Sequence, residues 1–431
     1  MDASIASFLQ NPFLRTLRQA SASLDLQCYV VGGCLRDLLM GRGVNDVDIA
    51  VGGGPEALSR RFAKECGGTF FWLDQERGHS RVVIKGGAGI DTFDFAPLRG
   101  EDICADLALR DFTINSLAVP LQGGVELFDP LKGETDIRAQ LVRRCAESVF
   151  RDDPLRLVRA FRFAATLGFR IETETLAAIT THAPLIANSA GERIRDELFQ
   201  VLCMPGTGSV FRTMGDAGLL CVLFGLSPSQ VYPAAEAMDR VEAVVQSLSQ
   251  LGDETAEKGC LRLQEQIQGG MTVLSLTKLA AFLTVTEADL PAAADRLKLG
   301  KTAGQLVEKL CRADTLALAE RLDTVSAYTL FNACDPAGLE LPLLLLARGH
   351  ITESRCRELA RYYLHCHIPR GGNLLLSGAE IMELLSVPPC KMVGDAHELL
   401  REAQCTGQVR TGAEASVFLR KKLLTTNEPM G

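Results

Sequence analysis

The sequence predicts an α+β chain: an N-terminal mixed β-sheet with helices, followed by all-helical segments. Three observations predict it. Residues 29–50 read as apolar strand, glycine turn, short helix, loop and second strand. Three further strand-like runs follow between Gly68 and Leu98. From about residue 135 onward almost every segment carries helical periodicity. With 431 residues the chain is too long for one compact core, and a hydrophobic content of 47% is ample for burial.

Composition removes several classes of function. The net charge of −8 argues against a globally basic nucleic-acid binder, though not against local basic patches. Fourteen cysteines occur without a Cys-x-x-Cys pair, so they read as reduced, mostly buried cytosolic thiols. Six histidines include no His-Asp doublet and no His-Glu-x-x-His. A hydrolytic metal site built on histidine is not expected. Met1-Asp2-Ala3-Ser4 lacks the start of a signal peptide, and no run of 18 apolar residues predicts a membrane span. A cytoplasmic location is expected.

Taken in order, residues 5–24 read as an amphipathic lead-in helix. The stretch from Tyr29 to Ala50 follows, and its second strand carries Asp46 and Asp48. Residues two apart on a strand share a face, so the two carboxylates stand side by side. Their repulsion is relieved by a cation between them, and Mg²⁺ completed by substrate phosphates is the usual one. Gly32 and Gly33 let backbone N–H groups approach a phosphate, and Arg36 can neutralise one. Alone, an Asp-x-Asp is more often a solvated strand face and a Gly-Gly more often a plain turn. The combination is far more specific than its parts.

Pro55 to Cys66 reads as a helix, and Gly68–Leu73, Ser80–Lys85 and Ile90–Leu98 as short strands. Alternation in the last sets Phe93 and Phe95 on one face and Asp94 on the other. Asp94 is a candidate third carboxylate, or an edge-strand acid facing water. Arg110 and Asp111 then precede an apolar run containing Asn115. The arginine can reach phosphate and the aspartate can accept from ribose hydroxyls, or the pair is a helix cap with a solvent-facing arginine. Phe128 to Gly133 is a turn signal near a domain boundary.

The first helical stretch holds Arg143, Arg144, Arg151, Arg156, Arg159 and Arg162 within 20 residues. Asp152-Asp153-Pro154 opens a helix, and Asp153 and Arg156 share a face. As a pair they offer the acceptors and donors needed to read a base edge, or form an ordinary i, i+3 ion pair. The arginine density points to a nucleotide-phosphate or RNA-facing surface. Glu192 to Leu198 opens another amphipathic helix; Leu341–Leu346 reads as a buried helix segment, and His365-Cys366-His367 as structural.

These motifs jointly resemble the class II tRNA nucleotidyltransferase and bacterial poly(A) polymerase family, a branch of the polymerase-β-like nucleotidyltransferases. The resemblance rests on Gly32-Gly33-x-x-Arg36-Asp37, Asp46-x-Asp48, Arg110-Asp111-Phe112-Thr113-Ile114-Asn115, Asp153-Pro154-Leu155-Arg156 with Arg159 to Phe163, and Glu192-Arg193-Ile194. It is most specific over residues 27–200 and weaker in the C-terminal half. It implies a seahorse-like arrangement: a catalytic head over 1–135, a base-recognising neck over 136–205, a body over 206–345 and a tRNA-binding tail over 346–431. It implies Mg²⁺ on Asp46 and Asp48, and Asp153 and Arg156 acting as a protein template for the incoming base. Arg159 and Arg162 join the nucleotide-binding set. The implied partners are the tRNA 3′ end and CTP or ATP.

Two departures bear on specificity. Leu109 stands where the family motif usually has a first arginine. Asp94 and Asp111 are only 17 residues apart, where relatives that complete CCA carry a longer flexible segment. The subset that adds only the two cytidines looks like this, so CC addition is expected, with full CCA addition, A addition, poly(A) synthesis and an inactive RNA-binding relative as alternatives.

Overall fold

A computed structural model describes residues 3–85, 90–123, 126–249, 254–286, 289–312 and 323–424. The chain divides into two compact units, Met1–Ser189 and Ala190–Gly431.

The first unit is built on a six-stranded sheet of order β3-β4-β5-β2-β1-β6. Its strands are β1 (Cys28–Val31), β2 (Asp46–Val51), β3 (Thr69–Asp74), β4 (His79–Val83), β5 (Thr92–Pro97) and β6 (Ala118–Pro120). The lead-in is two helices, α1 (Ala3–Phe8) and α2 (Pro12–Ser23), not one. The break has a local cause: the Asn11 side chain accepts from the Phe13 N–H, and Pro12 starts the new helix. Helix α3 (Gly33–Leu39) follows the glycine turn, and α4 (Glu56–Cys66) lies against the sheet. Phe62 of α4 meets Phe93 and Phe95 of β5 with ring centroids 4.8 and 5.8 Å apart, so this face of the sheet is core. The other face carries the acids. Part of it is closed by α5 (Ile103–Ala108), where Ile103 and Leu107 pack on Val31, Ala50 and Ala118.

After the sheet come α6 (Gly133–Arg138), α7 (Val149–Asp152), α8 (Arg156–Leu167) and α9 (Thr173–His182). The helical reading beyond residue 135 needs one amendment here, because β7 (Leu141–Val142) and β8 (Arg170–Ile171) pair in parallel.

The second unit runs from α10 (Gly191–Leu202) through α11 (Thr207–Asp216), α12 (Leu219–Phe224), α13 (Pro228–Ser249) and α14 (Glu254–Gln264). A small hairpin of β9 (Gln266–Gln268) and β10 (Met271–Thr272) leads into α15 (Val273–Val285). Helix α15 is buried nearly all round, and even Lys278 is only 2% exposed. Helices α16 (Leu290–Arg296), α17 (Lys301–Arg312), α18 (Thr324–Cys334) and α19 (Glu340–Ala347) follow, the last apolar on every side. Then come α20 (Glu353–Tyr362), α21 (Ile368–Gly372), α22 (Gly378–Leu385), α23 (Lys391–Cys405) and α24 (Gly412–Leu424). A separate apolar cluster built on Ile381, Leu385, Leu400 and Leu419 holds α22, α23 and α24 together. Ser377 and Glu380 start α22 with a reciprocal capping box.

His367 packs against Phe331 and Tyr363, in keeping with a structural reading of that histidine. All fourteen cysteines are free, but only six are buried, so the expectation of mostly buried thiols is corrected. No helix among the described residues is long and apolar enough to cross a membrane.

Candidate active site

Strand β2 places Asp46 and Asp48 on one exposed face, while Val47 and Ile49 are buried behind it. The strand pairs in parallel with β5, and the register sets Asp48 opposite Asp94 and Asp46 opposite Thr92. The Thr92 hydroxyl donates to Asp46. Asp94 is engaged from the next strand, where Arg81 donates Nε and Nη2 to its two oxygens at 2.7 Å each. Desolvation pushes the Asp48 carboxyl up to about 6; Arg110 opposes the rise, and Asp94 and Asp46 add to it.

The glycine turn comes close to these acids. Gly32 has φ of +81°, a conformation that side chains rarely adopt. A Cβ there would stand 3.0 Å from Arg110 Nη1 and 3.2 Å from Asp48 Oδ2. Glycine is therefore required twice, by backbone conformation and by space. Arg110 is aimed at this point by Asp106, whose Oδ2 accepts from Arg110 Nε and Nη2 at 3.1 and 3.0 Å. Asp106 is 2% exposed, and its Oδ1 accepts from the Arg99 backbone N–H and Nε. Burial raises the Asp106 carboxyl, but Arg110 and Arg99 more than offset it and leave it below its ordinary value.

A second polar chain lies beside the first. Arg36 Nη1 donates to Asn115 Oδ1 at 2.6 Å, and Asn115 Nδ2 donates to Asp111 Oδ1 at 3.1 Å. Arg159 completes it on Asp111 Oδ2. Phe163 sits among three guanidinium groups, those of Arg36, Arg159 and Arg162, at 5.4, 5.3 and 3.7 Å from its ring centre. Asp111 thus has both oxygens committed within the protein.

Asp153 is extended, at φ of −147°, and its Oδ1 accepts from the Leu155 N–H, closing a local turn just ahead of α8, whose own first residues have no side-chain cap. Arg156 is held by two backbone oxygens: Nη2 donates to Leu109 at 3.0 Å and Nη1 to Val149 at 3.4 Å. Position 109 contributes a carbonyl whatever its side chain. The arginine-rich stretch is partly structural. Arg143 pairs with Asp136 and Glu172, and Arg159 with Asp111.

Three contributors were not legible at first sight: Asp106, Arg99 and Arg81. The i, i+4 spacing of Asp106 and Arg110 on a helix end was the available signal for one. Cross-strand pairing of Arg81 with Asp94 becomes visible only once the register is known.

Two adjacent carboxylates open to the cleft fit a hard divalent cation that is completed by phosphate oxygens. Among the described residues no three His, Cys, Asp or Glu side chains converge as a ready-made cage.

Known proteins resemble this chain in sequence and in fold. The chain matches the poly A polymerase head domain over residues 28–143 and the probable RNA and SrmB-binding site of polymerase A over residues 168–230. It is 48% identical over 433 residues to the CC-adding tRNA nucleotidyltransferase of Geobacter sulfurreducens, covering 100% of both chains. It is 30% identical to the A-adding tRNA nucleotidyltransferase of Deinococcus radiodurans, over 91% of this chain and 94% of that one. The fold resembles the Bacillus stearothermophilus CCA-adding enzyme solved with CTP, with a TM-score of 0.71 at 22% identity over 99% of both chains.

Proposed function

The chain belongs to the tRNA nucleotidyltransferase family, and from that premise we propose that it adds the two cytidines of the tRNA 3′ end from CTP. It is an enzyme, a nucleotidyltransferase. The observation that carries the reaction is the pair Asp46 and Asp48, side by side and exposed, with Asp94 in register on β5 and Gly32 against Asp48. The 48% identity to a CC-adding relative over its whole length supports the choice of cytidine.

The chemistry is one displacement. The acceptor 3′ oxygen bonds to the α-phosphorus as the bond to the bridging oxygen breaks. Pyrophosphate leaves with the electron pair, and the hydroxyl proton passes to solvent. Enzymes of this family use a divalent cation, and Asp46 and Asp48 would hold Mg²⁺, which neutralises phosphate charge and activates the hydroxyl. Gly33, Arg36 and Arg110 face the triphosphate. Asn115 and Asp111 hold Arg36 and Arg159 in place, so their part is positioning. Asp153 and Arg156 present an acceptor and a donor fork to the base edge, so no nucleic-acid template is needed. Catalysis by this chain is then largely orientation and charge neutralisation.

The segment between Asp94 and Asp111 bears on how far addition goes. It contains α5, capped by Asp102 and tied at both ends to Asp106 through Arg99 and Arg110. A short, pinned connection leaves little length to reshape the base site from C to A. A reaction on tRNA supports a cytoplasmic location. The deciding experiment incubates the protein and Mg²⁺ with tRNA lacking its CCA end and with tRNA ending in CC, giving CTP and ATP separately and together. Two added cytidines and no adenosine are expected. A complete CCA end, a single adenosine on a CC-ended tRNA or a long adenosine tail each overturn the CC assignment, and no addition overturns the activity.

A further inference from the structure

Three charged side chains follow one another across the sheet. Asp48 on β2 is opposite Asp94 on β5, and Asp94 is opposite Arg81 on β4. Residues opposite each other on neighbouring strands point to one face, with Cβ atoms about 5 Å apart. Asp94 therefore stands between an acid and a guanidinium. It faces the guanidinium: Arg81 Nε donates to its Oδ1 and Nη2 to its Oδ2, both at 2.7 Å. Each oxygen of Asp94 takes one arm of the fork.

The other two acids are held differently. Asp46 accepts from a neutral donor, the Thr92 hydroxyl. Asp48 receives no guanidinium fork, because Arg110, which comes to the same turn at Gly32, spends Nε and Nη2 on Asp106. Of the three cleft acids, only Asp94 makes an ion pair among the described residues. Two unpaired carboxylates side by side are relieved by a cation, whereas one already neutralised by a guanidinium gains far less from it. The three acids accordingly do not converge as a ready-made cage. Arg81 is 41% and Asp94 30% exposed, and an ion pair this open adds little to stability. Its effect is on where the carboxylate points.

We propose that Arg81 is a positioning residue that holds the Asp94 carboxylate off the cation, so that Asp46 and Asp48 alone bind it. The inference rests on the nucleotidyl-transfer reading above and names the residue that sets how many acids reach its metal. Two protein carboxylates leave positions on a hard cation open for phosphate oxygens. A third would fill one of those positions and tighten binding before any nucleotide arrives. Arg81 thereby makes firm metal binding wait for the triphosphate.

The test is Mn²⁺ binding to the full chain without RNA, followed by the electron paramagnetic resonance of the free ion. Arg81→Ala and Asp94→Asn change half-exposed side chains, so melting temperatures stay near wild type. Without nucleotide, Arg81→Ala tightens the Mn²⁺ Kd about tenfold, because Asp94 is released to the metal. In the Asp94→Asn background, Arg81→Ala shifts Kd by less than about twofold, since no carboxylate is left to release. An unchanged or weaker Kd in Arg81→Ala overturns the proposal. Equal tightening in both backgrounds also overturns it, being the mark of a positive charge removed at a distance. If neither wild type nor Arg81→Ala takes up Mn²⁺ even with CTP, the metal assignment of Asp46 and Asp48 falls instead.

Discussion

Arg159 donates both Nε and Nη2 to a single oxygen of Asp111, at 3.0 and 2.7 Å, and so ties α8 to the segment that follows α5. Burial pushes the Asp111 carboxyl up, yet Arg159, Asn115 and the Phe112 N–H hold it below its ordinary value. A depressed carboxyl contributes stability that is present above its unfolded value, near 3.9, and is lost as pH falls through the folded value. The protein should therefore lose stability in acid below about pH 4. Arg159→Ala should cost about 1–3 kcal/mol, because it leaves a buried carboxylate with one partner fewer. Thermal melts of wild type and variant between neutral pH and pH 3 measure both; an Arg159→Ala melting curve superimposable on wild type refutes the link.

Asp46→Ala and Asp48→Ala should each reduce CMP incorporation by at least ~100-fold with folding retained, since the side chains face the cleft while their neighbours form the core. Labelled CTP incorporation and circular dichroism check this. Wild-type-like turnover in either variant would remove the metal assignment.

Asp153→Ala should loosen base choice more than it slows transfer. The loss of a base-edge contact is worth about 1–3 kcal/mol of discrimination, or roughly 10–100-fold in the preference for CTP. Parallel single-nucleotide reactions with CTP, UTP, ATP and GTP report it. An intact preference would rule out the protein template.

Lys278 makes a test confined to the second unit. Its ammonium donates to the Leu202 and Met204 carbonyls and the Thr207 hydroxyl at 2.8–3.0 Å and pairs with Glu242 at 2.8 Å. Lys278→Ala strands these acceptors and should cost about 3–5 kcal/mol, read as a lowered melting temperature. CMP incorporation per folded molecule should be unchanged. A melting temperature within a degree of wild type would contradict this.

Much of the site was readable beforehand because its signals are local. The paired acids depend only on strand alternation, the glycine turn on backbone freedom, and the Asp153 turn on an aspartate's reach to the backbone two residues on. What could not be read were the partners. Asp106 is an unremarkable acid in the chain, and Arg81 lies 13 residues from Asp94. Such pairings depend on which strands adjoin and on which buried charges need one another.

By itself the sequence determined local features: two carboxylates on one strand face, a turn that only glycine can make, and the helix that begins at Arg156. Periods of two and 3.6 residues and local caps act within a few positions, so one dimension holds them. Only the tertiary structure decided that Arg81 takes up Asp94, that Asp106 aims Arg110 at Asp48, and that Asp111 spends both oxygens inside the protein. The reason is that a buried charge must find a partner wherever the fold brings one, and strand order, not sequence distance, sets what is near.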